Sequence, residues 1–224
     1  RTDKNKVFAD ISVSGDDFSD VQLQVSLDGQ LQTIEASNSN SFVFEIDDPK
    51  LWNAEEPFTY EITIELLKNN ALLEMHTKKF GFAEYVVEGN KLLLNGRQIT
   101  IKGINRHEHD PKNGRAITVE LIEKELKLIK QHNMNAIRCA HYPNNPAFYE
   151  IATELGIYVM NEADIESHGS YVCGDMGYFA KQPEWYGAFR DRVERMYERD
   201  KNETCISIWT IGNENGEGEN IDKC

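Results

Sequence analysis

The stretch Ile206-Ser207-Ile208-Trp209-Thr210-Ile211-Gly212-Asn213-Glu214 decides how the second half of the chain is read. Apart from Ser207, its first six residues are β-branched or aromatic, and the run stops at a polar pair. That is the pattern of a buried strand whose carboxyl end presents Asn213 and Glu214. In a parallel α/β barrel, this end of each strand carries the chemistry.

Working outward from it, helical and strand patterns alternate. A helix is expected from Glu184 to Arg199, a strand over Ile157–Asn161, a helix over Pro146–Leu155 and a strand over Ala136–Ala140. Before them, Leu121, Ile122, Glu125, Leu126 and Ile129 follow a helical period from about Thr118, a suitable N-cap, to His132. Ile99–Asn105 reads as the first strand of the series. Such alternation means a parallel sheet covered by helices, either an open doubly wound sheet or half of an eight-stranded barrel. No glycine-rich phosphate loop follows the first strand, where Arg106-His107-Glu108-His109-Asp110 stands instead, and this favours the barrel. Half a barrel leaves two open edges and an exposed inner face. The barrel reading therefore expects a C-terminal half outside these residues.

From about Lys6 to Val87 the period is two. Val21, Leu23, Val25 and Leu27 share one face, and Ser41–Ile46 and Tyr60–Leu66 alternate in the same way. Asp28-Gly29, Asp47-Asp48-Pro49 and Asn69-Asn70 punctuate the strands. Short alternating strands of this kind predict an immunoglobulin-like β-sandwich. Leu92-Leu93-Leu94-Asn95-Gly96 reads as a hairpin. The expected organisation is a sandwich over 1–88, then the N-terminal half of a (β/α)8 TIM barrel over 89–224.

The net charge of -14, from 24 Lys and Arg against 38 Asp and Glu, argues against nucleic acid or an anionic membrane as partner. No run approaches the roughly 18 apolar residues of a membrane span. The four cysteines show no CxxC spacing, and Cys139 and Cys205 lie in apolar runs. This favours a reduced, cytoplasmic setting.

Polar residues follow all four barrel strands: Asn105 to His109, then His141, Tyr142 and Asn144, then Glu162, Asp164, Glu166 and His168, then Asn213 to Asn215. Their recurrence on one rim points to a cleft with an ionisable centre. Glu214, flanked by Trp209, is the leading candidate for a general acid/base; the structural alternative is a salt bridge to Arg138 or Arg106. Glu166, His168 and Glu214 are candidate metal ligands, and an imidazole in the set suits Mn²⁺ or Zn²⁺ better than Mg²⁺. His107-Glu108-His109 lacks the i, i+4 spacing of a helical metal site and is discounted. His107 and His141 are candidates to donate hydrogen bonds to sugar hydroxyls. Tyr171, Tyr178, Phe179 and Trp185 form either an aromatic wall or loop packing. Arg138, inside a strand, requires a carboxylate partner, which a nucleophile would supply.

Together, Asn105-Arg106-His107-Glu108-His109, Arg138-Cys139-Ala140-His141-Tyr142-Pro143-Asn144, Glu162-Ala163-Asp164-Ile165-Glu166-Ser167-His168-Gly169 and Trp209-Thr210-Ile211-Gly212-Asn213-Glu214 resemble the β-galactosidases of glycoside hydrolase family 2. Leu51–Pro57 and Phe80-Gly81-Phe82 are similar to that family's sandwich. The resemblance implies a retaining hydrolase of terminal β-D-galactose with Glu214 as acid/base. It also implies Asn213 at the sugar 2-hydroxyl, His107 and His141 at the galactosyl group, and Arg138 near the nucleophile. It implies Mg²⁺, with Mn²⁺ as the alternative, on Glu166, His168 and Glu214, and a homo-oligomeric full-length protein. The nucleophile has no match in the chain, which is therefore expected to be inactive alone. β-Glucuronidase and β-mannosidase of the same family, and a non-catalytic assembly module, are the competing readings. Asn145, Asn215 and Lys102 depart from the family's frequent residues.

Overall fold

The computed structural model describes residues 2–224, which divide into two compact units, one running to Gln98 and the other from Ile99 to Cys224. In the first unit seven strands form two antiparallel sheets. They are β1 (Thr2–Asp3), β2 (Lys6–Ser12), β3 (Val21–Leu27), β4 (Gln30–Glu35), β5 (Ser39–Glu45), β6 (Tyr60–Lys68) and β7 (Ala71–Phe80). One sheet has the order β1-β2-β5 and the other β4-β3-β6-β7. The two-residue period does what its spacing implies: Val21, Leu23, Val25 and Leu27 meet Phe42, Phe44 and Ile46 in a common buried core. The turns follow from residues that accept positive φ. Asp28-Gly29 (49° and 76°) and Asn69-Asn70 (50° and 63°) join successive strands tightly.

The meander β8 (Tyr85–Glu88), β9 (Lys91–Leu94) and β10 (Arg97–Gln98) completes this unit. Asn95-Gly96 turns it, and the Asn95 side chain accepts from Glu84 N at 2.8 Å and donates to Trp52 O at 3.1 Å. Trp52 is fully buried, and Gly81 packs so closely on it that an added Cβ would lie 2.5 Å from Trp52 Cβ.

The second unit is a four-stranded parallel sheet in the order β11 (Gly103–Arg106), β12 (Ala136–Cys139), β13 (Tyr158–Glu162) and β14 (Ile206–Thr210). Strands neighbouring in space follow one another in sequence, as in a partial TIM barrel. The first strand is shorter than expected, because Ile99–Lys102 stay outside it. Between strands run α1 (Val119–Gln131), α2 (Pro146–Leu155), α3 (Tyr178–Lys181) and α4 (Tyr186–Asp200), and α5 (Glu219–Asp222) follows β14. Thr118 caps α1, and Ile122, Leu126 and Ile129 form its buried stripe. Asn145 caps α2, with Pro146 in the first turn and Gly156 left-handed at its end.

The helix-facing side of the sheet is held by polar groups as well as apolar ones. Buried Asn161 accepts from Tyr149 Oη and donates to Asp200 Oδ2, both at 2.8 Å, and Arg199 pairs with Asp200. No helix among the described residues is long and apolar enough to cross a membrane.

Gly81→Ala is expected to lower the unfolding free energy by about 1–3 kcal/mol, because the new methyl must displace a fully buried indole. Urea denaturation monitored by tryptophan fluorescence checks it. An unchanged midpoint would contradict the close packing described.

Candidate active site at the strand ends

Alternation along the strands sorts the rim residues. Arg106, expected on the rim, lies on the helix side. Its guanidinium donates to Glu125 Oε2 at 2.8 Å and to Asn144 Oδ1 at 2.8 Å, and stacks over Phe148. Asn144 is buried with it. Asn105, one residue earlier, faces the other way and accepts weakly from Arg138 Nη1 at 3.4 Å. The register pairs Asn105 with Arg138.

Arg138 finds its carboxylate within the chain. Its partner is Glu162 at the end of β13, reached by Nε at 2.7 Å and Nη2 at 2.9 Å. Glu162 thus supplies a carboxylate partner within the chain, and the alternative pairing of Arg138 or Arg106 with Glu214 is corrected, since Glu214 meets His168 instead. The Glu162 side chain is 1% exposed and that of Arg138 27%. His141 Nδ1 lies 2.8 Å from Glu162 Oε1, and Arg138 Nη2 donates to Asn213 Oδ1 at 3.0 Å. Asn213 in turn donates to Glu166 Oε2 at 2.7 Å.

The last strand's continuation is bent to make this possible. Asn213 N donates to Ile165 O at 2.9 Å, and Asn213 bridges to Glu166. Gly212 permits the approach, since a Cβ there would lie 2.3 Å from Ile165 O. Glu214 has a left-handed backbone (φ 42°), a conformation few non-glycine residues adopt. Its carboxylate contacts His168 Nδ1 directly. One ligand atom from each of Glu166, His168 and Glu214 lies within 4.8 Å of the others, and all three residues are exposed. Two carboxylates and an imidazole in that space fit a divalent cation.

Other expectations resolve differently. Trp209 does not enclose Glu214; it packs on Tyr197 of α4, with ring centroids 5.4 Å apart, because alternation points it to the helix side. Glu214 keeps a half-exposed side chain. The aromatic residues of the loop divide: Tyr171 lies beside His168, while Phe179 packs against Tyr178 and Trp185. In His107-Glu108-His109 the side chains diverge. Glu108 accepts from Asn145 N at 3.1 Å, and His107 sits edge-to-face on His141 at 5.1 Å. Removal from water, then the charge of His141, holds the His107 imidazole below its ordinary 6.5. Sequence pattern alone does not single out Glu162 from the other polar residues after the third strand. The signal that finds it is an Arg in the neighbouring strand, which demands a buried carboxylate.

Residues 2–82 match the family described as "Glycosyl hydrolases family 2", and residues 85–224 match "Glycosyl hydrolases family 2, TIM barrel domain". Beta-galactosidases of Yersinia pestis bv. Antiqua (strain Angola) and Yersinia pseudotuberculosis serotype O:1b (strain IP 31758) are each 41% identical over 187 residues. The match covers 83% of this chain and 18% and 17% of those relatives. A solved Bifidobacterium dentium beta-glucuronidase, complexed with coumarin-3-O-glucuronide, superposes with a TM-score of 0.78 at 26% identity, covering 93% of this chain and 34% of that one. For a GH2 beta-galacturonidase from Eisenbergiella tayi bound to galacturonate, the TM-score is 0.68 at 28% identity, with 85% and 34% covered. The chain thus spans less than a fifth of these curated relatives and about a third of these solved chains.

Two outcomes are expected. Glu162→Gln leaves Arg138 without its counter-charge and lowers stability by about 2–3 kcal/mol, somewhat under the roughly 3–5 of a fully buried pair because Arg138 is partly hydrated. Equilibrium unfolding measures it. His107 titrates below 6.5 by NMR. Between that midpoint and about 6.5 the unfolded chain binds the proton and the native one does not, so stability rises with pH across that window. A midpoint at or above 6.5 would contradict the packing on His141.

Proposed function

Because the chain belongs to glycoside hydrolase family 2, we propose that it forms the acid/base side of a retaining β-galactosidase. The observation that carries this reading is the meeting of Glu166 and His168, from the segment after β13, with Asn213 and Glu214, which follow β14. The galactoside is favoured by the 41% identity to beta-galactosidases. It is also supported by the charge of the rim, where Arg138 is already neutralised by Glu162. A uronate would need a cation of its own.

In this mechanism protonated Glu214 gives its proton to the glycosidic oxygen as the C1–O bond breaks. A carboxylate on the opposite side of the sugar forms the new bond to C1. The Glu214 carboxylate then takes a proton from the water that displaces that carboxylate, and the anomeric configuration is retained. Asn213 positions the 2-hydroxyl, and His107 and His141 hold the galactosyl group. Glu166, His168 and Glu214 would hold a divalent cation, Mg²⁺ or Mn²⁺, which supplies positive charge beside the acid/base. Glu166 is the carboxylate within reach of Glu214, but it faces His168 and is assigned to the cation. We assign the nucleophile to residues outside 1–224, so this chain alone is not expected to turn over substrate. A cytoplasmic location and a homo-oligomeric full-length enzyme belong to the same proposal; four free cysteines support the first.

β-Glucuronidase is the second reading, favoured by the superposition on the Bifidobacterium dentium enzyme. It would use Arg115, whose guanidinium lies over the Tyr142 ring at 4.7 Å, as the cation for the uronate.

In a full-length protein carrying this chain, aryl β-galactoside is expected to be hydrolysed in preference to aryl β-glucuronide, and Glu214→Gln to lower kcat about 10²–10⁴-fold. The reverse preference would establish the second reading. Turnover by residues 1–224 alone, abolished by Glu214→Gln, would overturn the assignment of the nucleophile. Mn²⁺ or Mg²⁺ is expected to raise Tm. The shift should vanish in Glu166→Gln combined with His168→Ala.

A further inference from the structure

Glu162 has a role that counting hydrogens reveals. Three N–H donors reach its buried carboxylate: Arg138 Nε on Oε2, and Arg138 Nη2 and His141 Nδ1 on Oε1. Arg138 Nη2 carries two hydrogens. One goes to Glu162 Oε1 at 2.9 Å and the other to Asn213 Oδ1 at 3.0 Å. Nη2 also lies 3.2 Å from His141 Nδ1, but no hydrogen remains for that contact. An ionised carboxylate only accepts. The 2.8 Å contact between Glu162 and His141 is therefore made by a hydrogen on Nδ1.

Two consequences follow from that placement. In the neutral imidazole a proton on Nδ1 leaves Nε2 with a bare lone pair. Nε2 has no partner among the described residues, and the His141 side chain is 29% exposed. A neutral His141 held in this way offers an acceptor at Nε2. The second consequence concerns Asn213. Its oxygen is committed to the Arg138 cation and its nitrogen to the Glu166 carboxylate, so the amide has one permitted orientation. Charge alternates along the chain Glu162, Arg138, Asn213 dipole, Glu166. Without Glu162, the guanidinium would be drawn to Glu166 or Glu214 and compete with a cation there.

We propose that Glu162 is a positioning residue for the galactoside site, a role that rests on the function proposed above. Through the Nδ1–H tautomer of His141 it sets Nε2 to accept from a hydroxyl of a neutral sugar. Through Arg138 and Asn213 it aims Glu166 at the cation. The partner of His141 is a hydroxyl donor, and an anionic group at that position would meet a lone pair.

The experiment is ¹⁵N NMR of the ring nitrogens of His141 in the 224-residue chain, assigned by loss of the signal in His141→Gln. In the neutral form Nδ1 is expected to be protonated and Nε2 bare. The opposite tautomer overturns the proposal, whatever any variant does. Mn²⁺ titration is the second readout. Glu162→Gln is expected to weaken Mn²⁺ binding about 10–100-fold and Glu162→Asp to restore most of it, as for residues that orient metal ligands from behind. A folded Glu162→Gln chain with unchanged Mn²⁺ affinity overturns the second half of the proposal. Neither readout involves turnover, so a failure here is distinguishable from a failure of the galactosidase reading.

Discussion

A carboxylate buried at the end of a strand must be met by a cation and by enough donors to replace its water. Glu162 imposes that condition on the barrel unit. It is answered by Arg138 and His141, both from the segment of β12 and its following loop. The geometry of the rim follows. Arg138, placed by Glu162, reaches Asn105 on one side and Asn213 on the other, so side chains from all four strand ends are tied through one ion pair. Asn213 then carries the order outward to Glu166, beside His168 and Glu214.

The adjacent residue shows the complementary half of this arrangement. Asn161 and Glu162 are neighbours on β13, and strand alternation sends them to opposite faces. Asn161 joins Tyr149 of α2 and Asp200 of α4 behind the sheet, a contact that fixes helices. Arg106 and Asn105 divide in the same way, as do Cys139 and Arg138. Burial pushes the Cys139 thiol well above its usual range, which leaves it an inert packing group. Polar character at a strand end therefore does not by itself mark a rim residue. The face decides.

The turn and cap residues show which local features were readable in advance. Asp28-Gly29, Asn69-Asn70 and Asn95-Gly96 adopt the positive φ that their composition invites, and Thr118 caps the helix it precedes. Asn145 is a contrary case. No cap is read there from the sequence, yet in the fold its side chain accepts from Ala147 N at the start of α2.

The sequence by itself determined the order of elements, the sandwich and barrel periods and the segments that bear chemistry, because turn chemistry and hydrophobic period act over a few residues. Which carboxylate answers Arg138 and His141 and why Trp209 turns away from Glu214 were decided only by the tertiary structure. Those outcomes depend on strand register and on which face of the sheet a residue takes, and the hydrogen bonds that Glu162 and Asn213 make with Arg138 and His141 join groups 21 to 75 positions apart. No local pattern encodes a hydrogen bond across that distance; it exists only when the strands lie side by side.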